Sequence, residues 1–383
     1  MKQTFKERLQ NKLNYQQKIG LYRNPPEIKR RQGRHIYIDN KQCVNFSSND
    51  YLGLGTSEIL RQKVANNFQK YGTSASSSRL VSGNYEAIIA AEKAFAEYFG
   101  YPACLFYPSG YQANIGLIST LFEKEDCIFF DKHIHASSVK GMLLSDAAFC
   151  GFRHNSVSHL ERRLNQHEDS GVSVVLTESL FSMDGDFADI HELSQCKQKH
   201  NLFFIVDEAH AFGAIGTKGR GIARPIADIA VGTFGKALGL FGAFVLCPDW
   251  VRAYLINFSS PLIYTTSLPE AHGASALDLV DILENSDDKR EQLAHGSNLM
   301  KKMLHENSYQ VKGDAHILSI EIGDEIKTLL LSNHLLHSGF LVFPARYPTV
   351  PLGQAIIRIS MNAGHTEDDI KGFVHALKIG MKN

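Results

Sequence analysis

The feature that most constrains the fold is an alternation between short apolar runs and longer helix-like segments, which begins near residue 50. Helix-like segments separate several of the runs, for example Tyr85–Phe99, Gln112–Phe122 and Ile190–His200. Apolar runs of strand length recur at Cys104–Tyr107, Cys127–Phe130, Val172–Leu176, Leu202–Val206, Ile229–Thr233 and Ala243–Leu246. Strands joined by crossover helices form parallel sheets that are covered on both faces. The sequence therefore predicts an α/β fold with a mainly parallel central sheet.

The pattern changes towards both ends of the chain. The N-terminal stretch predicts an amphipathic helix with Phe5, Leu9 and Leu13 on one side, followed by a short strand pair around His35–Ile38 and Cys43–Phe46. Past residue 285, charged helical and apolar stretches are mixed as in a smaller α+β domain. We therefore predict an N-terminal segment at 1–49, a large domain at 50–285 and a small C-terminal domain at 286–383.

Charge balance and cysteine spacing exclude several classes of protein. Lysine plus arginine equal aspartate plus glutamate at 40 each, so the net charge gives no reason to expect nucleic acid or a membrane as partner. The six cysteines are scattered without a CxxC pair, which is typical of reduced thiols in the cytosol. The first residues lack the apolar core of a signal peptide, and no uncharged run is long enough to span a bilayer. We expect a cytoplasmic protein without a metal site.

Polar residues and glycine follow the apolar runs at the points where the predicted strands end. Ligands of open α/β sheets bind at the carboxyl ends of the strands. The residues in these positions are Gly110, Tyr111, Ser182, Asp207, His210, Thr233 and Lys236. We therefore expect them to face one crevice.

These residue types match the needs of pyridoxal 5′-phosphate (PLP). The aldehyde of PLP forms a Schiff base with a lysine amine, and Lys236, beside a glycine, is sterically free to supply it. The pyridine nitrogen needs an acidic partner to stay protonated, which suits Asp207. Backbone N–H groups of Gly110 and Tyr111, with the Thr233 hydroxyl, can hold the phosphate.

Two histidines complete the predicted cofactor site, although some of its residues also fit other kinds of site. His210 can donate to the ring oxygen of PLP, and His135 can stack on the ring. His133 and His135 could instead ligate a metal, but no third ligand stands at a recognisable spacing. Asp207 alone could be a helix N-cap. A P-loop is excluded because an alanine follows Lys236 where that motif has Ser or Thr.

On its motifs the sequence resembles the α-oxoamine synthases, a branch of the fold type I PLP enzymes that are built like aspartate aminotransferase. The motifs are NFSSNDYLGL (45–54), SSSRLVSGN (76–84), PSGYQAN (108–114), FSMDGD (181–186), VDEAH (206–210), GRG (219–221), TFGKALG (233–239) and IYTTSLP (263–269). The resemblance covers nearly the whole chain, and PTVPLGQAIIRIS (348–360) favours the branch that serves biotin synthesis. It implies a PLP-dependent transferase fold with a smaller α+β C-terminal domain.

The resemblance also implies the roles of the cofactor site. Lys236 carries the cofactor, Asp207 pairs with the pyridine nitrogen, and His135 stacks over the ring as the third catalytic group. His210 and Ser182 contact the region of the ring oxygen. The phosphate ligands are Gly110, Tyr111 and Thr233, joined from a neighbouring subunit by Thr265 and Thr266. A homodimer is therefore expected.

Substrate contacts are implied in the same way. Besides His135, they are Arg23, Asn49, Thr349 and Arg358. Arg358 clamps the carboxylate of the amino acid, a bidentate task that suits a guanidinium. The alternative for Arg358 is a salt bridge within its own subunit.

The implied reaction is the decarboxylative condensation of L-alanine with a pimeloyl thioester. Its products are 8-amino-7-oxononanoate, carbon dioxide and the free carrier. The sequence leaves open whether the carrier is acyl carrier protein or coenzyme A. The alternatives are glycine with acetyl-CoA, as in glycine C-acetyltransferase (2-amino-3-ketobutyrate CoA ligase), or an α-oxoamine synthase with another acyl donor. An aminotransferase would instead convert alanine to its keto acid.

Overall fold

The computed structural model describes residues 3–167 and 171–382, which form two compact units. The larger unit contains residues 52–182 and 187–290. The smaller unit contains residues 3–51, 183–186 and 291–382, so both ends of the chain contribute to it. The domain boundaries at residues 49 and 285 stay a prediction.

Helices and strands alternate through the middle of the chain, as the sequence predicts. Within the described residues the α-helices are α1 (Phe5–Lys18), α2 (Glu58–Tyr71), α3 (Glu86–Phe99), α4 (Gly110–Leu121), α5 (Ala136–Leu143), α6 (Val157–Leu164), α7 (Ile190–His200), α8 (Asp249–Phe258), α9 (Ser260–Ile263), α10 (Glu270–Glu284), α11 (Asp287–Glu306), α12 (Glu325–His337) and α13 (Glu367–Gly380). Not one of them combines the length and the apolar character that crossing a membrane requires.

The strands of the described residues fall into three sheets. They are β1 (Ile28–Gln32), β2 (His35–Ile38), β3 (Lys41–Asn45), β4 (Ala103–Tyr107), β5 (Cys127–Asp131), β6 (Ala148–Phe152), β7 (Ser173–Glu178), β8 (Phe203–Asp207), β9 (Ile229–Thr233), β10 (Ala243–Cys247), β11 (Val311–Lys312), β12 (Ile317–Gly323), β13 (Phe340–Leu341), β14 (Phe343–Ala345) and β15 (Ala355–Ser360). The larger unit holds a sheet of order β4-β10-β9-β8-β7-β5-β6.

The large sheet is mainly parallel, which confirms the predicted α/β architecture. Strands β6, β5, β7, β8 and β9 pair in parallel, whereas β10 runs antiparallel between β9 and β4. Only residues 234–242 join β9 to β10, which is too short for the crossover that a parallel neighbour needs. The chain therefore turns back at once, and this turn contains Lys236.

The two faces of this sheet bury different kinds of side chain. Side chains alternate between faces along a strand, so Val245 and Phe244 of β10 point to opposite sides. Aliphatic residues such as Val245, Val231 and Leu176 fill one face together with α4. Phenylalanines fill the other, where Phe95 of α3 lies 5.1 Å from Phe244 between ring centroids. Both faces are therefore covered, as expected for parallel strands.

The smaller unit contains two four-stranded sheets, of order β1-β2-β3-β13 and β11-β12-β15-β14. The predicted strand pair is present as β2 and β3, which pair antiparallel. The predicted N-terminal helix is α1, and its capping box is formed by Thr4 and Glu7. No residue of α1 is buried within the described structure.

From the close packing at Gly232 we predict that a larger side chain there destabilises the protein. A Cβ at this position would collide with the rings of Phe244 and Phe212, so Gly232→Ala should lower the free energy of unfolding by about 1–3 kcal/mol through overpacking. Gly296→Ala is the control, because its Cβ would meet its nearest neighbour at 3.6 Å inside α11 and should add about 1 kcal/mol of helix propensity. Urea unfolding measures the free energy of unfolding of both variants. Equal values for the two variants would contradict the close packing at Gly232.

Candidate active site

The larger unit contains a cavity of about 200 Å³ at the carboxyl ends of its parallel strands. The sequence-predicted residues that line it are Gly110, Tyr111, His135, Asp207, His210, Thr233 and Lys236. Asn114, Ser137 and Glu178 line the same cavity and were not predicted. The crevice inferred from strand ends is therefore present within one unit.

Gly110 and Tyr111 lie at the start of α4, where backbone N–H groups have no partner within the helix. The side chain of Ser109 accepts a hydrogen bond from the N–H of Gln112 and so fixes where the helix begins. A Cβ at Gly110 would meet nothing within 4 Å. This open helix start is suited to an anion such as a phosphate.

Lys236 lies in the turn that follows β9. Thr233 stabilises this turn, because its hydroxyl donates to the carbonyl of Gly242 at 3.0 Å and accepts from the N–H of Gly235 at 3.1 Å. Lys236 Nζ lies 2.8 Å from Nε2 of His210, a residue that is buried. The turn thereby directs the amine towards the end of β8.

Asp207 ends β8 and is held by two N–H donors. Its Oδ2 accepts from Asn114 Nδ2 at 2.9 Å, and its Oδ1 accepts from the backbone N–H of Ala209 at 2.9 Å. The two donors hold the carboxyl group in one orientation at the end of the strand. Asn114 lies one helical turn after Gly110, and this spacing within PSGYQAN could have identified it from the sequence.

Asn114 also connects Asp207 to His135. Its Nδ2 lies 3.0 Å from Oγ of Ser137, and that hydroxyl lies 2.7 Å from Nδ1 of His135. The backbone N–H of Ser137 also donates to His135 Nδ1, so the imidazole caps the N-terminus of α5. Since Nδ1 accepts a hydrogen bond, the proton of the neutral ring lies on Nε2. Burial lowers the pKa of His135, so the neutral form is favoured.

Glu178 ends β7 directly beside Asp207, because the two residues are partners in the β7–β8 register. Burial, together with the nearby Asp207 carboxylate, raises the pKa of Glu178 well above its usual range. Its Oε2 accepts from the backbone N–H of Ser182 at 3.2 Å. Ser182 is buried in the loop after β7, but it is not among the residues that line the cavity.

The remaining predicted residues lie elsewhere. Thr265 lines a smaller cavity of the larger unit, and Thr266 is exposed. Arg23, Asn49, Thr349 and Arg358 belong to the smaller unit.

In the smaller unit, Arg358 lies on β15 and is buried. It donates to Asn49 Oδ1 at 3.4 and 3.5 Å and to Ser360 Oγ at 2.5 Å, so two of the predicted substrate residues are in contact. Thr349 and Arg23 are exposed. The backbone N–H of Thr349 donates to the carbonyl of Arg346, whose side chain carries a pKa lowered by burial and by Arg23.

The family of the chain follows from comparison with known proteins. The model of the aminotransferase class I and II family matches residues 41–377. The chain belongs to this family. The family and the fold type predicted from the sequence are therefore confirmed.

Individual relatives are similar to this chain over most or nearly all of its length. A protein of Trichlorobacter lovleyi named 8-amino-7-oxononanoate synthase is 38% identical over 379 residues, which covers 96% of each chain. An 8-amino-7-oxononanoate synthase structure from Francisella tularensis has a TM-score of 0.77 at 32% identity, over 89% of this chain and 98% of that one. A serine palmitoyltransferase variant from S. paucimobilis, solved with bound PLP and myriocin, has a TM-score of 0.91 at 26% identity, over 98% and 97%.

From the contacts of His135 we predict the charge and the tautomer of its ring, which NMR spectroscopy can measure. In protein labelled with ¹⁵N-histidine, His135 should be neutral at pH 7 with its proton on Nε2, and it should titrate below the usual range because burial lowers its pKa. The His135→Gln variant assigns the resonance. A His135 ring protonated on Nδ1, or one that is cationic at pH 7, would contradict the capping geometry.

Proposed function

We propose that this protein catalyses the decarboxylative condensation of L-alanine with a pimeloyl thioester in biotin synthesis. The products are 8-amino-7-oxononanoate, carbon dioxide and the free carrier. The observation that carries the proposal is the single cavity that brings together Lys236, the doubly held Asp207 and His135. Full-length relatives named 8-amino-7-oxononanoate synthase support the choice of reaction. As a member of its family, the protein is a PLP-dependent transferase.

The residues of the cavity fit PLP. A lysine amine, a carboxylate fixed by two N–H donors and an open helix start lie around one space, and these are the three groups that its aldehyde, ring nitrogen and phosphate require. Lys236, Asp207 and the start of α4 would hold it, with Thr233 and His210 beside them. His135, neutral and with Nε2 as donor, would lie over the ring.

When bound, PLP supplies an aldehyde for the amine of alanine and a protonated ring that withdraws electrons from the alanine Cα. The Lys236 amine is the base that takes the Cα proton. Asp207 would keep the proton on the ring nitrogen, and Asn114 holds the carboxyl group of Asp207 in place. Arg358 is the proposed ligand of the substrate carboxylate, with Asn49 orienting the guanidinium. Arg23 and Thr349 are the proposed contacts of the acyl substrate.

A substrate matrix read by product mass tests this function. L-alanine with pimeloyl-CoA or pimeloyl acyl carrier protein should yield 8-amino-7-oxononanoate, and glycine with acetyl-CoA should react poorly. Lys236→Ala should lower kcat by about 10²–10⁴-fold, the usual contribution of a general base, and should abolish covalent labelling of the protein by borohydride reduction. Clear preference for glycine and acetyl-CoA would assign the protein to glycine C-acetyltransferase activity. Formation of pyruvate from alanine would indicate an aminotransferase.

We also propose that the enzyme is a cytoplasmic homodimer in which Thr265 and Thr266 bind the phosphate of the neighbouring subunit. These residues do not line the cavity that contains Lys236 in their own unit. Closed twofold dimers are the commonest oligomers of soluble proteins. The motif IYTTSLP, in which both threonines lie, is the sequence basis of this assignment.

Subunit mixing tests the shared site. Lys236→Ala and the double variant Thr265→Ala, Thr266→Ala should each have low activity alone. Co-expression should restore activity, because one of the two sites in a mixed dimer then combines an intact Lys236 with intact threonines from its neighbour. Absence of restoration in dimers shown by mass to be mixed, or full activity of a monomer in light scattering, would contradict the proposal.

A further inference from the structure

The beginning of the smaller unit carries a strong local excess of positive charge. Residues 3–41 contain ten lysines and arginines against three acidic residues, although the whole chain has 40 of each sign. Arg31 and Arg34 are compensated, since they form ion pairs with Asp50 at 2.5 Å and Asp369 at 2.6 Å. The overall charge balance therefore conceals a basic segment.

The other eight cations are exposed, and none of them forms an ion pair with a residue that the structure describes. We call them the basic surface: Lys6, Arg8, Lys12, Lys18, Arg23, Lys29, Arg30 and Lys41. Among the acids of the segment, Glu7 is engaged in the capping box of α1. Uncompensated charge of one sign raises the association rate of partners with the opposite sign.

The extent of the basic surface indicates a macromolecular partner. Lys6 and Lys18 lie about 18 Å apart along the axis of α1, at 1.5 Å per residue. The phosphates of one coenzyme A molecule belong to a single nucleotide headgroup and cannot reach cations that are spread along a whole helix. Phe5, Leu9 and Leu13 are exposed on the same helix, and the centres of protein interfaces are more apolar than the rest of the surface.

A lipid surface matches α1 less well. Helices that bind membranes bury a large apolar face. Besides its few apolar residues, α1 has five amide side chains, those of Gln10, Asn11, Asn14, Gln16 and Gln17. Part of the basic surface also lies outside the helix, with Lys29 and Arg30 on the edge strand β1.

We propose that the basic surface is the docking site of an acidic acyl carrier protein that delivers the pimeloyl thioester. The inference rests on the proposed function, which requires a pimeloyl chain on a thiol carrier. It assigns the carrier that the sequence leaves open. Acyl carrier proteins expose acidic helices, so their charge is complementary to this surface.

Two charge-reversal variants of the holoenzyme test the docking site. Lys6→Glu with Lys12→Glu changes the basic surface, and Lys124→Glu with Lys327→Glu makes the same change in charge at exposed lysines elsewhere. Turnover of pimeloyl acyl carrier protein and of pimeloyl-CoA is measured with L-alanine, and binding of the loaded carrier protein is measured directly. The first variant should lower kcat/KM for the carrier protein about tenfold or more through KM, and should leave pimeloyl-CoA unchanged. The second should change neither.

Each other result overturns the proposal in a recognisable way. A loss with pimeloyl-CoA alone would assign the cations to coenzyme A. Equal losses with both thioesters would show that the substitutions impair folding or a step common to both substrates, and no loss with either would leave the cations without a docking role. Binding to anionic phosphatidylglycerol vesicles that the first variant abolishes, with unchanged turnover of the carrier protein, would indicate a membrane contact. If neither thioester yields product in the unmodified enzyme, the proposed function fails. The direct binding measurement then decides the docking site separately.

Discussion

The parallel register between β7 and β8 is the constraint on which the candidate site depends. It places the carboxyl groups of Glu178 and Asp207 side by side at the ends of two buried strands. Two neighbouring carboxylates cannot both be charged in a buried position without a large cost. The pKa of Glu178 is raised by burial and by Asp207, whereas Asp207 receives N–H donors from Asn114 and Ala209. The register therefore places the carboxyl group of Asp207, which two N–H donors hold, beside that of Glu178, whose neutral form is favoured.

The carboxyl group of Asp207 is connected to the rest of the cavity through neutral groups. Asn114 contacts Ser137, and Ser137 contacts His135. A displacement of one of these side chains would therefore disturb the hydrogen bonds of the others. The capping of α5 by His135 fixes both the orientation of the ring and the nitrogen that carries its proton. The cap at the start of α5 thus holds the His135 ring in place and leaves Nε2 as the nitrogen that donates.

Charge is organised differently in the two units. Within the larger unit, the charged groups of the cavity are few and held by hydrogen bonds. In the smaller unit, an exposed run of cations forms no ion pairs with the described residues. A net charge of zero for the whole chain is compatible with both, because net charge averages over distances much longer than the screening length in salt. The overall balance alone therefore gave no indication of the basic surface.

The sequence by itself determined the α/β class, the parallel sheet and the crevice residues that directly follow strands, including Asp207, Thr233 and Lys236. Apolar runs and the residues that end them are local features, and local features can be read from a single sequence. It did not indicate β6, because this edge strand is partly exposed and forms no continuous apolar run. Tertiary structure alone decided the recruitment of Ser137 and Glu178 and the contact of Asn114 with Asp207. Their roles come from strand register and from the approach of α4 to α5, which bring together side chains that are up to 93 residues apart in the chain, as in the hydrogen bond from Asn114 to Asp207.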